Sequence, residues 1–275
     1  MTTVLCGSLS LHPSSLGAVM HRAGYAALGL DYAYQPFQVT DLGGAITGVR
    51  ALGIRGCGVS MPYKIEVMRF LDALDGLAER IGAVNTVVND GGRLVGYNTD
   101  AAGARRALEE ATPLDGRRVT LVGAGGAARA VAFALVGAGA RVHIANRSAA
   151  RAEALAHAVA SAAAATVTAS GLDGEPPTAD IVVNASSGGM QGVSSATPIG
   201  DAWLAGPELV MDIVYKPVAT ALLERAQRLG KRTVHGGRML LHQAAAQFEL
   251  YTGSAAPLGA MDRALRGALG ELPSP

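Results

Sequence analysis

The sequence predicts an α/β fold divided into two domains, and three observations lead to this prediction. Short apolar runs typical of strands alternate with segments in which apolar residues recur at helical spacing. A glycine-rich turn at 123–126 joins one such run to a helical segment. The chain has 275 residues, of which 49% are hydrophobic and 16% charged, so it can form one large domain or two modest ones.

The first part of the chain alternates strand and helix, which is the pattern of a parallel sheet with crossover helices. Asp41 is a possible cap that opens the second helix, since aspartate is favoured at that position. The expected strands are 3–7, 32–39 and 54–60, and the expected helices are 16–30 and 41–52.

The segment 83–100 has the pattern of a hairpin. Two β-type runs flank Asp90-Gly91-Gly92, which is a turn signal. The second run stops at Asn98-Thr99-Asp100, and a helix is expected over 101–111. Asp100 would then lie near the N-cap of that helix, which is a common place for aspartate.

A second α/β pattern begins at Arg117, after the loop 112–116. It opens with a strand, a glycine turn and a helix, and it therefore predicts a nucleotide-binding unit. The further expected strands are 179–186 and 209–215, and the further expected helices are 220–232 and 238–253.

The glycine turn predicts a dinucleotide site of the Rossmann type. Gly123, Gly125 and Gly126 permit a tight turn and a close approach of the backbone to a pyrophosphate. The N-terminus of the following helix adds N–H donors and the positive end of the helix dipole. The strand–turn–helix–strand context runs on to 142–148, so this interpretation does not depend on the glycines alone.

The end of the next strand indicates which dinucleotide is bound. NAD sites usually have Asp or Glu there, whereas this chain has Arg147, with Arg151 one turn later. Arg147 could be an ordinary solvated residue, but two arginines without an acid suit a 2′-phosphate and favour NADP. The expected cofactor-binding residues are Gly123, Ala124, Gly125, Gly126, Ala127, Asn146, Arg147, Ser148 and Arg151.

Composition argues against several other classes of protein. The net charge is +1 and aromatic residues make up 4%, so neither a basic surface nor stacking platforms for nucleic acid are expected. Cys6 and Cys57 are expected to be buried thiols, and neither the cysteines nor the six histidines have metal-ligand spacing. The apolar run 130–140 is too short to span a membrane, and the N-terminus lacks a basic signal region, so a cytoplasmic protein is predicted.

The stretch GVSMPYK at 58–64 ends an apolar strand and places Lys64 two residues after a proline. A solvated surface lysine is one interpretation. The other is an acid–base group that the turn directs into a cleft.

A set of motifs in chain order then resembles the shikimate dehydrogenase family over nearly the whole length. The motifs are GVSMPYK (58–64), GAVNTVV (82–88), GYNTDAAG (96–103), GAGGAARA (123–130), NRSAAR (146–151), NASSGGM (184–190) and MLLHQAAAQFELYTG (239–253). The resemblance implies a small-molecule enzyme that interconverts 3-dehydroshikimate and shikimate, or a close cyclic polyhydroxy carboxylate, with NADP. It also implies a monomer or a homodimer.

The resemblance implies a division of the chain and a catalytic pair. Residues 1–101 and 237–275 would form an α/β substrate domain, to which the C-terminal helix returns, and 102–236 would form the NADP domain. Lys64 and Asp100 match the family's catalytic lysine and aspartate. The lysine would relay the proton of the reacting hydroxyl, and the carboxylate would hold the ammonium in place.

Other positions match residues that contact substrate or cofactor in the family. Asn85 could instead satisfy backbone groups in a turn, and Gln243 could be an ordinary polar residue on a helix. Gly236 or Gly237 would line the nicotinamide site. The residues expected to contact substrate are Ser8, Ser10, Ser60, Asn85, Tyr215 and Gln243.

One segment departs from the family pattern. A loop of the form P-I-x-H-S-x-S-P, whose two serines bind the substrate carboxylate, is replaced by GSLSLHPSSLGAVMH at 7–21. Ser8 and Ser10 form an S-x-S, while Ser14 and Ser15 lie nearer the start of the helix. This stretch resembles the divergent branch of shikimate dehydrogenase-like proteins. The alternatives are therefore quinate or another related substrate, including that of a folate-type or amino-shikimate-type dehydrogenase, or a weakly active sensor that binds NADP and a metabolite.

Overall fold

The structure is a computed structural model that describes residues 2–194 and 196–271. The predicted domain ranges also include 1, 195 and 272–275, which lie outside the described residues. Within the described part, no helix is both long and apolar enough to cross a membrane.

The described residues form two six-stranded sheets and the helices that connect their strands. The strands are β1 (Val4–Ser10), β2 (Tyr32–Gln38), β3 (Gly56–Val59), β4 (Ala73–Leu74), β5 (Thr86–Asp90), β6 (Arg93–Tyr97), β7 (Arg118–Val122), β8 (Arg141–Asn146), β9 (Val167–Gly171), β10 (Ile181–Asn184), β11 (Leu209–Asp212) and β12 (Arg232–Val234). The helices are α1 (Leu16–Ala27), α2 (Leu42–Ala51), α3 (Gly76–Ile81), α4 (Thr99–Glu109), α5 (Gly126–Gly137), α6 (Ala149–Ala163), α7 (Ala202–Ala205), α8 (Ala221–Arg228), α9 (Gly236–Thr252) and α10 (Leu258–Ala268), with a 3-10 helix at Glu66–Phe70.

The chain divides into two compact units, and both boundaries fall within helices. The first unit runs to Thr99 and resumes at Gln243, and the second runs from Asp100 to His242. Helix α4 therefore begins in the first unit, and helix α9 ends in it.

The sheet of the first unit has the order β2-β1-β3-β5-β6-β4. Strands β1, β2 and β3 are parallel, as the alternating pattern predicts, while β5 is antiparallel to both β3 and β6 because of the hairpin. Strand β1 is longer than predicted and ends at Ser10, since its backbone pairs with β2 along its whole length. Asp41 caps α2 as expected, and its side chain accepts a hydrogen bond from the backbone N–H of Gly44.

The core of the first unit combines aliphatic and aromatic side chains. Val67, Val84 and Leu94 are fully buried and belong to one hydrophobic cluster. On α1, the ring of His21 stacks on Tyr34 with 4.4 Å between centroids. Because burial lowers the pKa of His21 to about 3, this histidine is a neutral packing residue. Helix α10, which the sequence patterns did not indicate, packs against α1.

The sheet of the second unit is entirely parallel, with the order β12-β11-β10-β7-β8-β9. The chain order reverses between β7 and β10, so helices leave the sheet on opposite sides there. In sheets of this kind, ligands bind in the crevice at the carboxyl ends of the strands at such a reversal. The predicted Rossmann-type architecture is therefore confirmed.

Glu110 follows α4 and joins it to the start of α9. Its carboxylate accepts hydrogen bonds from Arg238 Nε at 2.8 Å and from Arg238 Nη2 at 2.5 Å. The His242 Nε2 atom lies 2.8 Å from the same carboxylate. The Arg238 guanidinium, aided by His242 and opposed by partial burial, lowers the pKa of Glu110.

Replacement of Glu110 with glutamine is expected to lower the free energy of unfolding at neutral pH by about 0.5–1 kcal/mol, the range for a half-exposed charge network. Because the pKa of Glu110 is lowered in the folded state, its ionised carboxylate stabilises the fold at pH values above the ordinary glutamate pKa of 4.5. This stabilisation is lost as the pH falls through the folded-state pKa. Urea unfolding of both proteins at pH 7 and at pH 3.5 measures this. If the difference in free energy of unfolding between the two proteins is larger at pH 3.5 than at pH 7, the stabilising role of the Glu110 carboxylate is contradicted.

Candidate active site

The turn after β7 has the backbone geometry that a pyrophosphate site requires. Gly123 has φ of 117°, and a Cβ atom there would lie 2.9 Å from Ala185 O and 3.0 Å from Ser186 N. Gly125 is the N-cap of α5, and a Cβ on Gly125 or on Gly126 would meet no atom within 4 Å. Both glycines are exposed, so the N–H groups at the start of α5 are open to a ligand.

The end of β8 carries the arginines that the sequence singles out. Asn146 donates a hydrogen bond from Nδ2 to Ser148 O at 3.1 Å. Ser148 caps α6, and its hydroxyl accepts a hydrogen bond from the N–H of Arg151 at 3.4 Å. Arg147 and Arg151 are both exposed, so their guanidinium groups are accessible to an anion at this edge.

Gly236 begins α9 directly against the backbone that follows β11. Its N–H donates to Val214 O at 3.3 Å. A Cβ atom at this position would lie 2.5 Å from both Ile213 C and Val214 O, distances that real Cβ atoms do not show. Only glycine fits here, and the position of Gly236 beside the cofactor stays a prediction.

A buried polar network that the sequence analysis missed lies at the ends of β10 and β11. Asp212 is fully buried and accepts hydrogen bonds from Asn184 Nδ2 at 2.9 Å and from Thr220 Oγ1 at 2.7 Å. Burial raises the pKa of Asp212, while these hydrogen bonds oppose the rise. Tyr215 follows three residues later and is half-buried.

In the first unit, the lysine loop is fixed at the carboxyl end of β3. Tyr63 is buried and donates its hydroxyl to Val39 O at 2.6 Å. The carbonyl of Lys64 accepts a hydrogen bond from the N–H of Val84 at 2.8 Å. Lys64 itself is half-buried, and Ser60 is exposed at the start of the same loop.

Asn85 lies beside this loop because β5 runs antiparallel to β3, which places the beginning of β5 next to the end of β3. Its Oδ1 accepts a hydrogen bond from the N–H of Thr99 at 2.7 Å, and its Nδ2 donates to Thr99 Oγ1 at 3.0 Å. Thr99 is the first residue of α4, and the next residue is Asp100, which is 3% exposed. Asn85 thus holds the start of the helix that carries Asp100.

Gln247 is a second residue that the sequence analysis missed. It is buried, and its Nε2 donates to Thr86 Oγ1 at 3.0 Å and to Asn85 O at 3.3 Å. The predicted Gln243 is half-buried one helical turn earlier on α9. Because residues four apart lie on one helix face, the repeated glutamine was a signal available in the sequence.

The candidate carboxylate-binding serines differ in their surroundings. Ser8 is half-buried and Ser10 is 4% exposed, and both lie in strand β1 rather than in a loop. Ser14 is exposed, and its hydroxyl accepts a hydrogen bond from the N–H of Leu16 at 3.3 Å. Ser8, Ser10, Ser60, Lys64 and Asn85 all lie near one edge of the first sheet, where β1 and β3 end and β5 begins.

Gln243 begins the last segment of the first unit, and the remaining predicted residues belong to the second unit. Asp100 is the first residue of the second unit, and Tyr215 follows β11. The predicted cofactor residues lie at the carboxyl ends of β7 and β8 and at the start of α9. The pairing of Lys64 with Asp100 stays a prediction. Among residues 2–194 and 196–271, no group of three or more histidine, cysteine, aspartate or glutamate residues could hold a metal ion.

Comparison with known protein families gives three matches along this chain. Residues 12–87 match the shikimate dehydrogenase substrate binding domain. Residues 105–201 match the shikimate / quinate 5-dehydrogenase family. Residues 236–266 match the shikimate 5'-dehydrogenase C-terminal domain. The matches therefore fall in both units.

Individual relatives agree with the family matches. The shikimate dehydrogenase (NADP(+)) of Moorella thermoacetica is 45% identical over 271 residues, which cover 94% of this chain and 92% of that protein. A crystal structure of a shikimate dehydrogenase in complex with NADP+ has a TM-score of 0.91 and 37% identity, covering 97% of this chain and 96% of the other. The structure of the shikimate 5-dehydrogenase-like protein HI0607 has a TM-score of 0.86 and 36% identity, covering 98% of both chains.

Proposed function

The chain belongs to the shikimate dehydrogenase family, and from that premise we propose that it is an NADP-dependent shikimate dehydrogenase, which reduces 3-dehydroshikimate to shikimate. One observation carries the proposal. The lysine loop and the glycine turn each lie at the carboxyl end of a strand, and each carries one of the motifs by which the sequence resembles the family. These are the positions at which α/β sheets bind ligands.

The residues of the second unit fit NADP. Gly123 and the open start of α5 provide the backbone donors for a pyrophosphate, and the exposed Arg147 and Arg151 suit a 2′-phosphate. Strand β8 ends in Asn146, so the acid that would accept from an NAD ribose is replaced by a neutral side chain. When bound, the reduced cofactor supplies a hydride to the carbonyl carbon of the substrate.

The proton for the same reduction would come from Lys64. Its ammonium donates a proton to the carbonyl oxygen as the hydride reaches the carbon, so the ketone becomes an alcohol with atoms and charge in balance. The Asp100 carboxylate would hold the ammonium in place, and the neutral amine left by the transfer would regain its proton from solvent. The hydrogen bond from the N–H of Val84 to the Lys64 carbonyl fixes the backbone of the residue that carries the amine.

Substrate hydroxyl and carboxylate groups would be held by side chains near the edge of the first sheet. Ser60 is exposed, Gln243 is half-buried on α9, and Asn85 has its carboxamide held by Thr99. Ser8 or Ser10 would bind the carboxylate, and Tyr215 would contact the substrate. The substrate-binding domain would comprise 1–101 and 237–275, and the NADP domain 102–236.

The direct test is NADP+ reduction by the purified protein, followed by the absorbance of reduced nicotinamide, with shikimate and with quinate. Turnover on shikimate with a higher kcat/KM than on quinate supports the proposal. An absence of turnover with both substrates, although NADPH binds, would overturn it. Sedimentation of the same sample distinguishes a monomer from a homodimer.

The position of the serines favours one finer assignment, to the divergent shikimate dehydrogenase-like branch. Ser8 and Ser10 lie in a strand, and the S-x-S-P of the usual loop is missing. Protein HI0607 is 36% identical over nearly the whole chain, but the shikimate dehydrogenase in complex with NADP+ is 37% identical, so the serines alone carry this assignment. In that case shikimate turnover would be slow, because a displaced carboxylate anchor moves the reacting hydroxyl, and quinate or another related substrate would be preferred.

Replacement of Arg147 with alanine is expected to weaken NADPH binding about tenfold or more and to leave NADH binding unchanged, because only NADPH has the 2′-phosphate. Arg141→Ala is the matched control, since Arg141 is also exposed but lies at the opposite end of β8. Fluorescence titration with both cofactors measures the effect. Equal losses for NADPH and NADH would remove Arg147 from the 2′-phosphate site.

A further inference from the structure

The carboxylate of Asp212 is held by three hydrogen bonds from protein donors. Its Oδ1 accepts hydrogen bonds from Asn184 Nδ2 at 2.9 Å and from Val214 N at 3.0 Å, and its Oδ2 accepts one from Thr220 Oγ1 at 2.7 Å. Asp212 and Thr220 are both fully buried. A buried carboxylate is costly unless its acceptors are satisfied, so this arrangement requires every one of these partners.

Each partner of Asp212 lies in a different segment at the carboxyl edge of the sheet. Asn184 ends β10, and its Oδ1 in turn accepts from Ser186 N at 3.0 Å and from Ser186 Oγ at 2.7 Å. Val214 belongs to the segment that leads to Tyr215. Thr220 caps α8 and accepts from Leu223 N at 3.3 Å.

Backbone bonds join the first two segments to each other. The N–H of Ile213 donates to Asn184 O at 3.0 Å, and the N–H of Gln191 donates to Lys216 O at 2.9 Å. The backbone of Ala185 and Ser186 also lies against Gly123 of the glycine turn. The loop after β10 and the loop after β11 are thus fixed as one body that borders the cofactor turn.

The position of these loops identifies the part of the cofactor that they face. The arginines for the 2′-phosphate lie at the end of β8, on one side of β7, whereas β10 and β11 lie on the other side. A dinucleotide crosses the sheet at β7, so its nicotinamide half is on the side of β10 and β11. Gly236, which meets Ile213 and Val214, is on this side as well.

We propose that Asp212 is a positioning residue, which fixes the loops after β10 and β11 and thereby holds Tyr215 and the nicotinamide half of the cofactor in the reactive arrangement. The inference rests on the proposed function, because it assigns Asp212 to the same site. Asp212 does not touch the reacting atoms. Its effect is therefore on kcat, while the adenine half of the cofactor, bound at β8, keeps most of the affinity.

The test compares Asp212→Ala with Asp212→Asn. Alanine removes all three hydrogen bonds, and kcat is expected to fall by about 10–100-fold, while the Kd of NADPH changes by less than about threefold. Asparagine can keep its oxygen towards Asn184 and Val214 and direct its amide to Thr220 Oγ1, so it is expected to restore most of kcat. Asp201→Asn is the control, since Asp201 is an exposed partner of Arg225 on α8.

A second pair of variants covers the case in which Asp212→Ala does not fold. Thr220→Val keeps the shape and removes the donor, whereas Thr220→Ser keeps the hydroxyl. Valine is expected to lower kcat and serine to preserve it. Equal kcat values in the valine and serine variants, or an Asp212→Ala kcat within about twofold of the wild type, would overturn the proposal.

Amide hydrogen exchange tests the role of Asp212 in fixing these loops without the need for a known substrate. Amides 184–188 and 213–215 are expected to exchange faster in Asp212→Ala or Thr220→Val than in the wild type, whereas amides of β7 and β8 are not. If the wild type turns over no tested substrate but this pattern holds, the proposed function fails and the loop assignment stands. Unchanged exchange in both segments would overturn the loop assignment.

Discussion

Replacement of Lys64 with alanine is expected to lower kcat for shikimate oxidation by about 10²–10⁴-fold, the range for loss of a general acid–base group. The KM for shikimate is expected to change far less, because Lys64 acts on the proton of the reacting hydroxyl rather than on the ring as a whole. NADPH should bind as it does in the wild type, since the predicted contacts of the cofactor are in the second unit.

The geometry around Lys64 supports an effect of this size. The loop is fixed on both sides, by the bond from Val84 N to the Lys64 carbonyl and by the hydroxyl of the buried Tyr63. A fixed backbone restricts the positions that the Lys64 amine can occupy. Proton transfer requires such a restriction, because the amine must stay within hydrogen-bond distance of the substrate oxygen. A solvated surface lysine does not need such an anchor.

Two variants separate proton transfer from charge and from general surface effects. Lys64→Arg keeps the positive charge but cannot release a proton at neutral pH, so it is expected to be nearly as inactive as Lys64→Ala. Lys231→Ala is the matched control, because Lys231 is half-buried like Lys64 and donates to the backbone oxygen of Ala205. Steady-state kinetics on the four proteins measures the result, and full activity of Lys64→Arg would rule out an acid–base role.

Replacement of Gly123 with alanine is expected to lower the free energy of unfolding by about 2–4 kcal/mol. The loss is expected because alanine would strain the backbone at this position and would force neighbouring backbone atoms to move. The φ of 117° at Gly123 is a conformation that alanine rarely adopts. The new Cβ would also lie 2.9 Å from Ala185 O, and backbone atoms cannot move aside as a flexible side chain can. NADPH binding should weaken as well, because the turn must open.

Two other glycines provide the comparison. Gly137 lies on an exposed part of α5 with no atom near its Cβ position, so Gly137→Ala is expected to raise the free energy of unfolding by about 0.5–1 kcal/mol. Gly125→Ala should leave stability nearly unchanged and reduce NADPH affinity, because its Cβ would project into the space for the pyrophosphate. Urea unfolding and NADPH titration give both quantities. Normal stability of Gly123→Ala would contradict the packing argument.

The second domain could be predicted from sequence because local signals coincide there. A buried strand, a glycine turn and a helix follow each other within a short segment, so the Rossmann-type unit and the positions of Gly123 and Arg147 follow directly. Asp212 was missed because nothing local shows what an aspartate at a strand end will bond to. Its partners Asn184 and Thr220 are distant in the chain and meet it only after the sheet has formed.

The first domain was harder to predict, because its sheet is mixed. Strand β1 was expected to stop at Gly7, since the polar residues Ser8 and Ser10 weaken the apolar signal. Pairing with β2 along its length extends the strand to Ser10. Gln247 was overlooked because its partners at 85–86 become neighbours only through the tertiary fold. The short β4, with two residues, has too little sequence for any periodic signal.

The bond between Val84 N and Lys64 O closes the excursion from 65 to 83, which contains the 3-10 helix, β4 and α3. Lys64 and Asn85 are therefore held at the two ends of this segment. The free-energy cost of lengthening a closed loop grows only logarithmically, by roughly 0.6 kcal/mol for each doubling. The turns of this segment are therefore expected to tolerate insertions, tags and substitutions without loss of activity.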